Sequence, residues 1–185
     1  MAFCAQHPDR VVAATITVGA APLENDEIDQ MIGLNATAKR FVLDGDRGAL
    51  TSLLSETRTS ILDDPLGSFR SIMETAPPAD QEIIGDPDWQ SSSVLDITEA
   101  LRTGVEGWVD ESWALFAPWD DIDPAEVTTS VTWWHSRDDR NAPLSAACRL
   151  VAQLPDARLE IWDDGGHLTR YRLEVELLDE LLARW

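Results

Sequence analysis

The sequence is short of positive charge, of cysteine and of long apolar runs, and each shortage removes a class of function. Only 14 of its 185 residues are Lys or Arg, against 34 Asp or Glu, for a formal net charge of −20. Such a chain repels a phosphate backbone and an anionic lipid surface alike. Neither nucleic acid nor a membrane is therefore an expected partner. Lys39 is the only lysine, a bias that resembles GC-rich coding more than a functional choice. No apolar run reaches the roughly 18 residues of a membrane-spanning helix. The start, MAFCAQHPDR, lacks the basic-then-apolar order of a secretory signal. The two cysteines, Cys4 and Cys148, sit in apolar segments and are expected as buried, reduced thiols rather than as a disulfide. Together these absences predict a cytoplasmic protein with a solvated acidic surface.

What is present has the size and apolar content of one folded domain: 44% of residues are hydrophobic, eight of them tryptophans. Residues 1–6 read as the end of a helix that Pro8 stops. Val11 to Val18 is β-branched and nearly all apolar, the pattern of a strand covered on both faces of a parallel sheet. From residue 23 to 124 strand signals vanish. A helix capped by Asn25 or Asp26 is predicted through Arg40, then pieces over 47–61, 65–75 and 78–84, then a longer one over 91–117 with breaks at Gly104 and Gly107. Thr128 to His135 reads as a second strand, Pro143 opens a helix, and Ala157 to Trp162 reads as a third strand. A last helix over 169–185 carries Tyr171, Val175, Leu178, Leu182 and Trp185 at amphipathic spacing, a stripe expected against the sheet. Strands alternating with helices at this spacing give parallel crossovers. The expected architecture is α/β: a core from 1–22 and 125–185, and a helical cap, or lid, inserted over 23–124.

Catalytic groups in open parallel sheets gather beyond the strands' C-terminal ends. Asp139 follows the second predicted strand and His167 the third. Adjacent strand ends lie about 5 Å apart, so a carboxylate and an imidazole on these loops can meet. The carboxylate would fix the tautomer of the ring and leave its other nitrogen as a base. Gly165 and Gly166 are expected to turn the loop with positive φ. Other readings stand beside this one. Asp139 can equally charge the N-terminus of the helix opened by Pro143. Asp138 reads as a solvated neighbour, His135 as structural, and His7 as a helix C-terminal residue. A metal site from His135, Asp139, Asp163, Asp164 and His167 has no tight ligand spacing behind it, and no cofactor is expected. Trp108, Trp113 and Trp119 suit cap packing or a pocket lining.

The stretches WHSRDDRNAP and DDGGHL, together with AFCAQHPDRVVAATITVGAAP at the start, resemble the C-terminal part of α/β-hydrolase-fold proteins. The resemblance implies three parallel strands with flanking helices and an inserted cap, with Asp139 as the acid and His167 as the base of a nucleophile–His–Asp triad. Pro143 matches the proline opening the next helix, and Trp119 a tryptophan before the return to the sheet. Ser136 stands where the family has glycine and Ala142 where it has valine. No G-x-S-x-G nucleophile turn exists in the sequence, and the family order places it upstream of Met1. The implied parent activity is ester-type hydrolysis of a small apolar substrate, with serine and aspartate both open as nucleophile. The chain alone is expected to be inactive, with the strand over 11–18 left as an open, pairing-prone edge through which copies could associate. A truncated or mis-started enzyme, a non-catalytic interaction module or complementing fragment, and a decayed reading frame all remain open on the sequence.

Overall fold

A computed structural model describes residues 1–183. Trp185, placed above in the last helix, lies outside the described residues. Three parallel strands form one sheet in the order β1 (Ala13–Thr17), β2 (Ser130–Ser136), β3 (Ala157–Trp162). Ile16 pairs with Trp133 and Trp133 with Leu159 across the register. β1 and β3 are the edges.

Helix α1 (Ala2–Gln6) precedes β1 and ends at His7, as expected. Between β1 and β2 the chain is helical: α2 (Asn25–Ile28), α3 (Gly33–Leu43), α4 (Arg47–Asp63), α5 (Pro65–Met73), α6 (Pro78–Ile84), α7 (Pro87–Ala100) and α8 (Glu106–Phe116). Asp46, Asp64 and Asp86 cap α4, α5 and α7 by accepting their first free N–H groups. Helix α9 (Leu144–Val151) joins β2 to β3, and α10 (Glu174–Leu182) closes the described chain.

Hydrophobic clusters hold both the sheet and the helical segment. On the sheet, Trp133 of β2 packs against Ala146, Ala147, Leu150 and Val151 of α9. A second cluster joins Val127, Val131 and Leu154 to Cys4 of α1. In the helical segment, α3, α4 and α8 meet through Val42, Leu50, Leu54 and Val109. Phe69 of α5 and Ile84 of α6 form a further cluster on which Trp89 and Leu168 pack. Leu168 belongs to the loop after β3, so this cluster ties the helical segment to the sheet's rim.

Several expectations need correction. The helix predicted from Asn25 to Arg40 is two helices. Its cap is Glu24, in a reciprocal box with Glu27. The break arises because Ile32 donates its N–H to Arg140 O (2.7 Å) instead of to its own helix. The helix over 91–117 is α7 and α8: the break expected at Gly104, whose φ is +135°, is present, but the one expected at Gly107 is not, since Gly107 is helical. β1 is half-buried along its length rather than covered on both faces. Cys148 is exposed; only Cys4 is a buried thiol. The stripe on the last helix faces outward: Val175 (68% exposed), Leu178 and Leu182 are open to solvent, while Leu177 is buried. A short 3-10 turn at Thr169–Arg172 delays the start of α10.

Candidate functional site

β2 and β3 end side by side, and their loops are laced together. Arg137 N–H donates to Trp162 O (3.0 Å) and Asp138 N–H to Gly165 O (3.2 Å). The lacing brings Asp139 and His167 to the same rim. His167 Nδ1 lies 2.9 Å from Asp139 Oδ2. An ionised carboxylate only accepts, so Nδ1 carries the proton and Nε2 is the free basic nitrogen. Asp139 is fully buried by its side chain, and the imidazole is 27% exposed.

The second oxygen of Asp139 is also occupied. Oδ1 accepts the N–H groups of Asn141 and Ala142, both at 2.8 Å. The carboxylate thus closes the turn before α9 with one oxygen and meets the histidine with the other, while α9 itself, N-capped at Pro143, takes no side-chain cap. Asp138 is exposed.

His135 is wholly buried on β2. Trp133 Nε1 donates to its Nδ1 (3.1 Å), and its Nε2 donates to Ala142 O (2.7 Å). Both nitrogens are used, and burial pushes its pKa below the ordinary histidine value. Its Nε2 stands 3.7 Å from Asp139 Oδ2, beyond hydrogen-bond reach. Asp163 pairs with Arg137 (2.8 Å) on the surface. Among the described residues no group of three or more His, Cys, Asp or Glu is arranged to hold a metal ion.

The glycines serve space rather than backbone angle. Neither Gly165 nor Gly166 has positive φ, which corrects the expectation of a left-handed turn. A Cβ at Gly165 would sit 2.7 Å from Ser136 Oγ. Ser136 in turn donates to Gly166 O (2.6 Å). The serine at the family's glycine position is therefore a buried tie between the two loops.

His167 borders two cavities. One, of about 260 Å³, lies toward β1 and α8 and includes Val18, Leu34, Trp108 and Ser112. The other, of about 280 Å³, is walled by Phe69, Ile72, Ile84, Trp89 and Leu168. Asn35 donates to Asn141 Oδ1 (2.9 Å), and this pair borders both. Trp113 and Trp119 border neither of them; Trp113 packs on the α3–α4–α8 core and Trp119 on the sheet core. No hydrogen bond joins His167 Nε2 to a hydroxyl or thiol among the described residues. Sequence reasoning missed Asp80, which contacts the His167 backbone from 87 positions away, and the Asn35–Asn141 pair. Asp80 and Asn35 lie in no motif, Asn141 falls within WHSRDDRNAP without a role assigned to it, and only the fold brings the three to the rim.

No protein-family model and no curated protein matches the sequence. Solved structures do match it in shape. A hydrolase from Pseudomonas aeruginosa superposes with a TM-score of 0.60 at 13% identity, covering 98% of this chain and 58% of its own. The enol-lactonase from Burkholderia xenovorans gives 0.58 at 14%, covering 99% and 59%. An α/β-hydrolase-fold protein from Nakamurella multipartita gives 0.55 at 17%, covering 95% and 63%. The chain spans about three fifths of the length of these structures. With its three parallel strands, flanking helices and near-complete coverage in these superpositions, the chain has part of the α/β-hydrolase fold.

Proposed function

We propose that the chain carries the acid–base half of a hydrolase site, with Asp139 as the acid and His167 as the base. The observation that carries this reading is the 2.9 Å contact between Asp139 Oδ2 and His167 Nδ1 at the C-terminal rim of a parallel sheet. The contact leaves Nε2 free to take a proton from a nucleophile and return it to a leaving group. Residues 1–22 and 125–185 act as the core and 23–124 as a cap over the histidine. The cavities beside His167 suit a small, largely apolar ester.

The sequence has no G-x-S-x-G turn, and on this reading a nucleophile and oxyanion donors would be supplied by other polypeptide. The exposed edge of β1 and the outward apolar face of α10 are surfaces such a segment would cover. By itself the chain has no useful turnover, because loss of a nucleophile removes nearly all of the acceleration.

The test is hydrolysis of p-nitrophenyl esters by the chain alone and by the chain extended with the sequence encoded in frame upstream. The extended protein is expected to turn over, and His167→Ala to abolish it. Asp139→Asn, which cannot hold the tautomer, should cost on the order of 10⁴ in kcat. Turnover by the extended protein that survives His167→Ala would end this reading.

A further inference from the structure

Asp80 is a carboxylate that the acid–base reading does not use. It sits in the first turn of α6, 3% exposed, beside the histidine loop. Its Oδ2 accepts the N–H of His167 (2.9 Å) and its Oδ1 that of Leu168 (2.8 Å). Both are charge-assisted bonds to backbone, stronger than neutral ones. Burial, with the neighbouring charge of Asp139, pushes its carboxyl above the ordinary value, and the two N–H groups and His167 oppose that rise.

Gly166 makes the approach feasible. A Cβ there would lie 2.4 Å from Asp80 Cγ and from both of its oxygens. Since Gly166 does not have positive φ, its lack of a side chain answers to the carboxylate and not to the backbone. The loop is thus held from two sides. From the core, Ser136 donates to Gly166 O; from the helical segment, Asp80 accepts from the next two residues.

We propose that Asp80, admitted by Gly166, is a positioning residue that fixes the backbone of His167 so that the imidazole stays seated on Asp139. Its catalytic consequence rests on the acid–base reading of His167. Its physical content does not, so the two can fail separately. The device also makes the histidine's placement depend on the helical segment: if α6 shifts, the loop loses two hydrogen bonds.

The experiment uses the ¹⁵N-labelled chain as it stands and needs no turnover. Histidine ring ¹⁵N shifts report which nitrogen of His167 is protonated, and amide exchange reports the two backbone bonds. Asp80→Ala is expected to speed exchange at His167 and Leu168 about tenfold or more and to mix the ring tautomers, with β2 amides unchanged. Gly166→Ala, which keeps the carboxyl but displaces it, should do the same, and it carries the test if Asp80→Ala does not fold. The double variant should be no worse than either single one, because both delete one contact. Asp80→Asn, keeping one acceptor, should fall between. In the extended, active protein, Asp80→Asn should lower kcat about tenfold and leave KM nearly unchanged. Unchanged tautomer and exchange in both single variants, or a harmless Gly166→Ala beside a damaging Asp80→Ala, would overturn the proposal. A fixed tautomer that depends on Asp80, in an extended protein without esterase activity, would sink the acid–base reading and leave this one standing.

Discussion

At the scale of single residues the site is defined by how many polar groups share few partners. Asp139 spends one oxygen on the turn and one on His167, and His135 beneath it is buried with both nitrogens engaged. His135 has a pH consequence with a definite sign. Its pKa is lowered in the folded chain from an ordinary 6.5, so below about that pH the unfolded chain binds a proton that the folded chain resists. Its contribution to stability is flat above pH 6.5 and falls as pH drops through that value, by at most about 1.4 kcal/mol per pH unit. Asp139, 3.7 Å away, opposes this in part. Asp80 runs the other way: its raised carboxyl makes protonation above pH 3.8 easier in the folded state. Glu27, held down to about 2 chiefly by its bonds to Arg149, loses its contribution only between pH 4.5 and 2. The informative measurement is therefore the difference between wild type and His135→Gln, which can still accept from Trp133 and donate to Ala142. Urea unfolding at pH 7, 6 and 5 should show a downward slope in the wild type that the variant flattens. Equal slopes would mean that His135 is not the group responsible. Asp139 and His167 were legible in the sequence because each follows a recognisable strand. Asp80 was not, because its meaning comes from a contact across 87 residues.

At the scale of elements, the sequence announced strands and helices wherever the backbone decides locally, and lost accuracy where tertiary contacts decide. The start of α5 was placed at 65, where Asp64 caps and Pro65 suits the first turn, but α7, with the same pairing of Asp86 and Pro87, was started four residues late, at 91. The break between α2 and α3 was invisible, because it depends on a hydrogen bond from Ile32 to the distant Arg140. The outward face of α10 was misjudged for a related reason. Periodicity shows that a helix has an apolar face, not which neighbour is present to cover it. The junction of α7 and α8 is the sharpest local feature. Gly104 has φ +135° and follows the helix end at Leu101, a backbone state that L residues rarely adopt. Gly104→Ala should destabilise the chain by about 1–3 kcal/mol, while Gly107→Ala, inside a helix with open space at its Cβ, should be neutral or gain up to about 1 kcal/mol. Thermal melts of the two variants side by side check this. Equal effects would show that the turn at Gly104 is not held in the native state.

At the scale of the molecule, charge and exposed apolar surface pull in opposite directions. Val12 on the approach to β1 and Val175, Leu178 and Leu182 on α10 are open to water, which favours association. The net charge of −20 keeps copies apart but also repels itself within one folded chain. Arg–carboxylate pairs such as Arg137–Asp163 and Arg172–Glu82 are mostly exposed, so each contributes little. Acidic residues outnumber basic ones by more than two to one, so most carboxylates have no cation to meet. Screening should therefore help this fold more than it harms it. Raising NaCl from about 20 to 300 mM shortens the Debye length to well under 10 Å and should raise the urea midpoint at pH 7. If the exposed ion pairs governed stability, the same titration would lower that midpoint. Dilute samples separate this intramolecular effect from the second consequence of screening. With repulsion between copies removed, the bare edge of β1 and the face of α10 are free to meet, so light scattering at high protein concentration should rise over the same range of salt. Replacing Leu178 and Leu182 with glutamate should suppress that rise while leaving the dilute midpoint within about 0.5 kcal/mol of wild type, because neither side chain is buried.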